Sequence, residues 1–256
     1  MSEELVKYKN DEKFLLICHT KDNVYDDWEN VYYLTSMGKR YIIPCYFPFY
    51  DKTKRKKNLY IVQGSLQEKR RNYKSLVNIF EKYKDKDFTI RIIGKGNKLP
   101  SCLDKYMDKI DFRNNLNFHE YHKMFNDVTY ILPLLDETFE HKYFTGKHSS
   151  SISYGIGFGL NFIGHLRLKK IYGDIEGYFY DNIDEFVDVF GKSFVAADSF
   201  DISSSVYMNI KTNKDAYLFG EEITFTDNDN IDIDSIIVRV TIEEIDDGDD
   251  LEEEEE

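Results

Sequence analysis

Tyr130–Gly164, YILPLLDETFEHKYFTGKHSSSISYGIGFGLNFIG, decides how the rest of the chain is read. It opens on an apolar run ending at Pro133, passes through a polar loop, enters a serine-rich segment that reads as a helix start, and closes at Gly159 before a second apolar run. Strand, loop, helix, strand is the expected order. In a parallel sheet, a loop that leaves the carboxyl end of a strand and enters a helix gathers free backbone N–H groups and the positive end of the helix dipole at one point. Such a point binds anions, phosphate above all. Lys147, His148, Ser149, Ser150 and Ser151 add a cation, an imidazole and three hydroxyls there. Serine is also an ordinary N-cap, worth about 1 kcal/mol with no ligand present, so capping is the competing reading of Ser149–Ser151. Gly155, Gly157 and Gly159 disfavour a helix by up to about 1 kcal/mol each, and close packing on the sheet is their expected use.

Outward from this stretch, strands and helices alternate, the signature of a parallel sheet covered on both faces. Leu59–Gln63 (LYIVQ) reads as a strand ended by Gly64, followed by a helix over Arg71–Tyr83 with Tyr73, Leu76, Val77, Phe80 and Tyr83 on one face. Phe88–Ile93 is the next strand, ended by Gly94 and Gly96. A helix over Ser101–Lys109, a short strand at Leu116–Phe118 and a helix over Glu120–Asn126 follow. Strands at Tyr130–Leu135 and Asn161–Leu166 flank the central helix, and Tyr178–Tyr180 and Ile183–Phe190 read as a last strand and helix. This is the rhythm of one Rossmann-like domain, whose ligands sit at the carboxyl ends of the strands. Three loops lie there: Gly64–Arg71, Gly94–Pro100 and Asp136–Ser151.

The first loop, GSLQEKRR, carries Lys69, Arg70 and Arg71 where the next helix begins. A guanidinium in that position offers a bidentate contact to phosphate; a merely solvated basic surface is the plainer alternative. Gly94-Lys95-Gly96 lacks the spacings of a dinucleotide fingerprint or a P-loop and reads as a turn.

The net charge of −13 is unevenly spread: eleven of the negative charges, with no basic residue among them, fall in Glu243–Glu256, leaving −2 for the rest. A nearly neutral body argues against a dedicated nucleic-acid surface. The acidic end is too charged and too poor in apolar residues to pack, and is expected to be a disordered, solubilising tail. Cys18, Cys45 and Cys102 form no CxxC pair, which fits reduced thiols in a cytoplasmic protein, host cytoplasm if the chain is virus-encoded. No apolar run approaches the roughly 18 residues of a membrane span. HEYH at His119–His122 falls one residue short of HExxH, and TDNDNIDID at Thr226–Asp234 departs from the EF-hand pattern. Neither a metal nor a cofactor is expected.

Before the first regular strand, Lys13–His19, Val31–Thr35 and Tyr41–Pro44 read as short extended pieces, and CYFPFYDKTKRKKN reads as a linker. Past Lys192, alternating apolar residues suggest two or three strands of a small β appendage. The expected division is a short N-terminal segment (1–57), a Rossmann-like domain (58–192), a β appendage (193–242) and the tail (243–256).

Four stretches in order, VQGSLQEKRRNY at Val62–Tyr73, FTIRIIGKG at Phe88–Gly96, NLNFHEYHKMFNDVTYILPLLD at Asn115–Asp136 and FTGKHSSSISYGIGFGLNFIG at Phe144–Gly164, resemble the nucleotide-sugar-binding C-terminal half of GT-B glycosyltransferases, including short forms encoded by some large DNA viruses. The resemblance spans roughly Leu59–Phe190. It implies transfer of a sugar from a UDP- or GDP-linked donor to an unknown glycan or protein acceptor. By it, Gly64 and Arg70 or Arg71 lie beside the donor diphosphate, Lys147, Ser149, Ser150 and Ser151 hold its phosphates, and Asp136, Glu137 and Glu140 form the donor loop. Two features depart from the family. Ser149–Gly159 contains no acid where many retaining members carry one, and the 1–57 segment is too short for a full acceptor domain. The segment then reads as a remnant of that lobe, with a second chain as one source of the missing part, and no catalytic base is identified. The alternative from another class is a non-catalytic Rossmann-like scaffold for a protein partner.

Overall fold

The computed structural model describes residues 6–43 and 55–196, apart from 12, 20, 22–24, 26, 36, 39, 68–69, 97, 137–140 and 174, together with residues 211–212 and 236–238. Three short strands come first: β1 (Leu15–Cys18), β2 (Val31–Tyr33) and β3 (Ile42–Ile43). β1 and β2 run parallel over a small core in which Trp28 packs with Leu16, Val31 and Tyr33. Two distant pieces join them, β10 (Lys211–Thr212) antiparallel to β3 and β11 (Ile236–Val238) antiparallel to β1. The two described pieces of the appendage therefore pair with the N-terminal segment. Glu137, Glu140, Lys69, Cys45 and the acidic tail lie outside the described residues.

The main sheet has six strands, all parallel: β4 (Leu59–Gln63), β5 (Thr89–Gly94), β6 (Ile110–Asn114), β7 (Tyr130–Ile131), β8 (Asn161–His165) and β9 (Gly177–Tyr180). Their order across the sheet is β6-β5-β4-β7-β8-β9. This is the Rossmann-like doubly wound α/β arrangement, with helices on both faces. Alternation along β4 sorts the core: Tyr60 and Val62 face one layer with Ile90, Ile92 and Leu132, while Leu59 and Ile61 face the other with Ile131 and Phe162. The first layer is closed by α1 (Lys74–Lys82), the 3₁₀ helix Ser101–Lys109 and α5 (Phe186–Ala196); the second by α2 (Phe118–Lys123), α3 (Ser150–Gly157) and α4 (Leu166–Tyr172).

Several elements differ from the sequence expectation. The strand expected at Leu116–Phe118 lies earlier, at Ile110–Asn114, and Phe118 begins a helix. A capping box explains the shift: the Asn117 side chain accepts from the Glu120 N–H, and the Glu120 carboxylate accepts from the Asn117 N–H. β7 ends at Ile131 instead of Leu135, because Pro133 has no N–H for the ladder and Leu134 takes a positive φ of 51°. α4 is an additional helix: the His165 side chain accepts from the Arg167 N–H and starts it directly at the end of β8. The last helix runs to Ala196, past the expected domain edge at 192.

Candidate anion site at the switch point of the sheet

Strand order reverses direction between β4 and β7, so this is the topological switch point, where open α/β sheets form a crevice at their carboxyl ends. Here the two strands part early. β4 and β7 pair only at Tyr60–Tyr130 and Ile61–Ile131, with one further bond from the Leu132 N–H to the Ile61 carbonyl at 2.8 Å. At Pro133 the chain turns away while β4 continues to Gln63. The opening is filled by polar side chains.

Arg71 occupies the centre. Only 6% exposed, its guanidinium donates to the Pro133 carbonyl and, at 3.2 Å, to the Ser151 hydroxyl. Its Nε is buried and has no hydrogen-bond partner among the described residues, and no carboxylate there forms a salt bridge with it. Burial pushes its pKa below the ordinary arginine value, and Tyr73, Tyr143 and Tyr121 lie close enough to offset this in part. Gly64 covers one side, with φ at 127°, and a side chain at that position would occupy the space of the guanidinium.

Gln63 completes the floor. It is 4% exposed, its amide donates to the Ser150 hydroxyl at 3.2 Å, and its side-chain oxygen accepts from the Ser151 hydroxyl at 3.0 Å. The reading of Ser149–Ser151 as plain caps is therefore corrected: Ser149, the N-cap residue, makes no side-chain cap bond, and the hydroxyls of Ser150 and Ser151 turn to β4 and Arg71. The first turn of α3 starts without a side chain covering its N–H groups, beside a buried cation.

The exit of β7 is pinned to the start of α1. The Asn72 N–H donates to the Leu134 carbonyl at 3.0 Å, its side chain donates to Asp136 at 2.7 Å, and Tyr180 donates to the Leu135 carbonyl at 3.4 Å. Asp136 is 3% exposed.

On the outer side, the 146–149 turn is held by other elements. The Lys21 N–H donates to the Gly146 carbonyl at 2.7 Å and the His148 N–H to the His19 carbonyl at 3.3 Å. His148 is buried, its Nε2 lies 2.7 Å from the Ser153 hydroxyl, and burial, aided by His19, lowers its pKa to about 3. Glycines serve the packing as expected: a methyl at Gly155 would meet the Phe162 ring at 2.2 Å.

Of the residues singled out in the sequence, the fold brings Gly64, Arg71, Ser150 and Ser151 together, while Asp136 is held by the Asn72 side chain. Ser149 is buried at the helix entry. Lys147 is half-buried in a turn whose N–H bonds the Lys142 carbonyl, and Arg70 is exposed on the first loop. In HEYH, His122 is buried with Nδ1 2.6 Å from the Phe118 carbonyl, while His119 is exposed. Gln63 and Asn72 were not expected at the site. One signal for Gln63 was visible: a polar residue closes an otherwise apolar strand immediately before the glycine.

No protein-family model matches the chain, and no curated protein matches it. Among solved structures it is similar to a GtfA/B complex, at 14% identity and a TM-score of 0.41, over 70% of this chain and 36% of that one. It is also similar to the pneumococcal O-GlcNAc transferase GtfA in complex with UDP and GlcNAc, at 13% identity and a TM-score of 0.34, over 59% of this chain and 31% of that one. The chain spans about a third of the length of each. Among the described residues, no helix is long and apolar enough to cross a membrane.

Proposed function

We propose that the crevice between β4 and β7 binds the diphosphate of a UDP- or GDP-linked sugar, and that the chain is a glycosyltransferase of GT-B type or its donor-binding half. The observation that carries this reading is the buried Arg71 guanidinium, which has a carbonyl and a hydroxyl for partners but no counter-anion among the described residues. A buried charge of this kind is costly unless paired. A phosphate seated at the first turn of α3 supplies the missing negative charge and uses helix N–H groups that no side chain caps.

In this reading Gly64 leaves room for the guanidinium, Gln63 fixes the hydroxyls of Ser150 and Ser151, and Lys147 and Arg70 add positive charge at the rim. When the sugar is transferred, negative charge grows on the departing nucleoside diphosphate. Fixed donors aimed at that charge are the main contribution of this chain to catalysis. Asp136, with Glu137 and Glu140, belongs to the donor loop on the sugar side.

A thermal-shift panel of nucleotides and nucleotide sugars tests the reading, because a ligand that binds only the folded state raises its midpoint. UDP or GDP sugars should raise it, and Arg71→Ala with Lys147→Ala should weaken the nucleotide by several fold in calorimetry. A panel with no shift, together with no donor hydrolysis by the purified chain, would overturn it.

A further inference from the structure

The polar side chains under the α3 entry form one continuous chain of hydrogen bonds, and its two ends differ in kind. At the buried end stands Arg71, whose guanidinium can only donate, and Nη2 gives a bond to the Ser151 hydroxyl at 3.2 Å. That hydroxyl has a single proton. With its oxygen already accepting, it passes the proton to Oε1 of Gln63 at 3.0 Å, and the Gln63 backbone carbonyl, 3.3 Å away, is a second acceptor for it. Once Oε1 is turned to Ser151, the amide nitrogen of Gln63 faces Ser150 and donates to its hydroxyl at 3.2 Å. Ser150 ends the chain with a proton still to give. Its contact with Oε1 is longer, at 3.4 Å, and competes with Ser151 for the same oxygen. Ser151 is fully buried, whereas Ser150, the first residue of α3, is exposed.

We propose that Gln63 is a positioning residue that divides the roles of the two serines: Ser150 is the hydroxyl that donates to a ligand oxygen, and Ser151 is a fixed link between β4 and Arg71. This rests on the donor-site reading given above. The direction of each bond follows from the cation at the buried end, because a guanidinium cannot accept and each neutral group that accepts must donate onward. Hydrogen bonds aligned in one direction polarise one another, so part of the pull of Arg71 on a negative ligand is exerted at Ser150. The Nε of Arg71, which has no hydrogen-bond partner among the described residues, and the outward proton of Ser150 are then two separate donors. Two linked phosphoryl groups suit such a pair. Gln63 is 4% exposed and touches no ligand in this scheme; it acts through Ser150.

The test uses the full chain with UDP or GDP, whichever gives the larger thermal shift with wild type, and reads affinity by calorimetry. Ser150→Ala is expected to weaken the nucleotide about three- to tenfold, on the scale of one hydrogen bond, with the unfolding midpoint unchanged. Ser150→Thr, which keeps the hydroxyl, should restore the affinity. Gln63→Met removes the amide and leaves the residue 63 carbonyl to accept from Ser151. It should weaken the nucleotide about two- to fivefold when Ser150 is present and hardly at all in the Ser150→Ala chain, a coupling that a double-mutant cycle reads. If wild type binds the nucleotide and Ser150→Ala binds it equally well, or if Gln63→Met costs the same in both backgrounds, the division of roles is overturned while the donor site stands. If wild type binds neither nucleotide nor pyrophosphate, the donor-site reading fails and this inference with it. Should Gln63→Met not fold, the side-chain amide resonances of Gln63 decide the question. They should shift on adding nucleotide to wild type and stay in place in Ser150→Ala; resonances that do not move in wild type would overturn the proposal.

Discussion

Gly64 and Arg71 are fitted to each other: a methyl group added at Gly64 would lie 2.2 Å from Nη2 of Arg71. Gly64 also holds a φ of 127°, a conformation that side chains rarely adopt. Gly64→Ala is therefore expected to cost about 1–3 kcal/mol and to push the guanidinium off Pro133 and Ser151. Denaturant unfolding and the thermal response to UDP or GDP check both halves of this. An alanine variant with wild-type stability would mean that Arg71 is not confined as described.

Arg71 itself should separate stability from binding. Its charge is enclosed without a counter-anion among the described residues, so Arg71→Met removes a desolvation cost along with two hydrogen bonds. The expected outcome is a midpoint within a few degrees of wild type, or above it, and nucleotide affinity reduced by about tenfold or more. Strong destabilisation with affinity retained would make Arg71 a purely structural clamp between β7 and α3.

Much of this site was legible in the chain before its structure. Gly64, Arg71 and Ser149–Ser151 were visible because a glycine after an apolar strand and serines before a helix are local signals, read within a few residues. What stayed hidden depended on contacts between distant segments. Arg70 and Arg71 are indistinguishable in sequence, and only the split of β7 from β4 at Pro133 decides that Arg71 is enclosed and Arg70 exposed. Gln63 lies 87 residues from Ser150, and only the fold makes them neighbours. The misplaced strand at Leu116–Phe118 has the opposite origin, since apolar Leu116 and Phe118 outweighed the Asn117–Glu120 capping box that was present in the sequence.

The glycines of α3 make a separate prediction about packing. Because a Cβ at Gly155 would meet the Phe162 ring at 2.2 Å, Gly155→Ala should destabilise by about 1–3 kcal/mol despite alanine's better helix propensity. Phe162→Leu in the same chain should recover part of that loss, giving a favourable coupling in a double-mutant cycle measured by denaturant unfolding. Additive effects of the two changes would show that α3 does not rest on β8 through this contact.

His148 predicts how stability depends on pH. Burial, the larger cause, and the neighbouring His19 lower its pKa to about 3 from 6.5. Between those values the unfolded chain takes up a proton at this residue that the folded chain refuses, so stability falls as pH is lowered through the window, by up to about 1.4 kcal/mol per pH unit. His122, also lowered by burial, acts in the same direction. Asp111 and Asp127, held below the usual carboxylate value by Arg91, add their losses only below about pH 4. Urea unfolding at pH 6.0 and 4.5 therefore reads mainly the histidines, with a small share from Glu81, which its bonds to Lys105 and Tyr106 hold below the usual value. Wild type should lose about 1–2 kcal/mol across that step on account of His148, and His148→Gln, which keeps a hydrogen-bonding group for Ser153 but cannot titrate, should lose distinctly less. An identical loss in the variant would place a charged, solvated imidazole at the entry of α3 and reverse the account of how that turn is held.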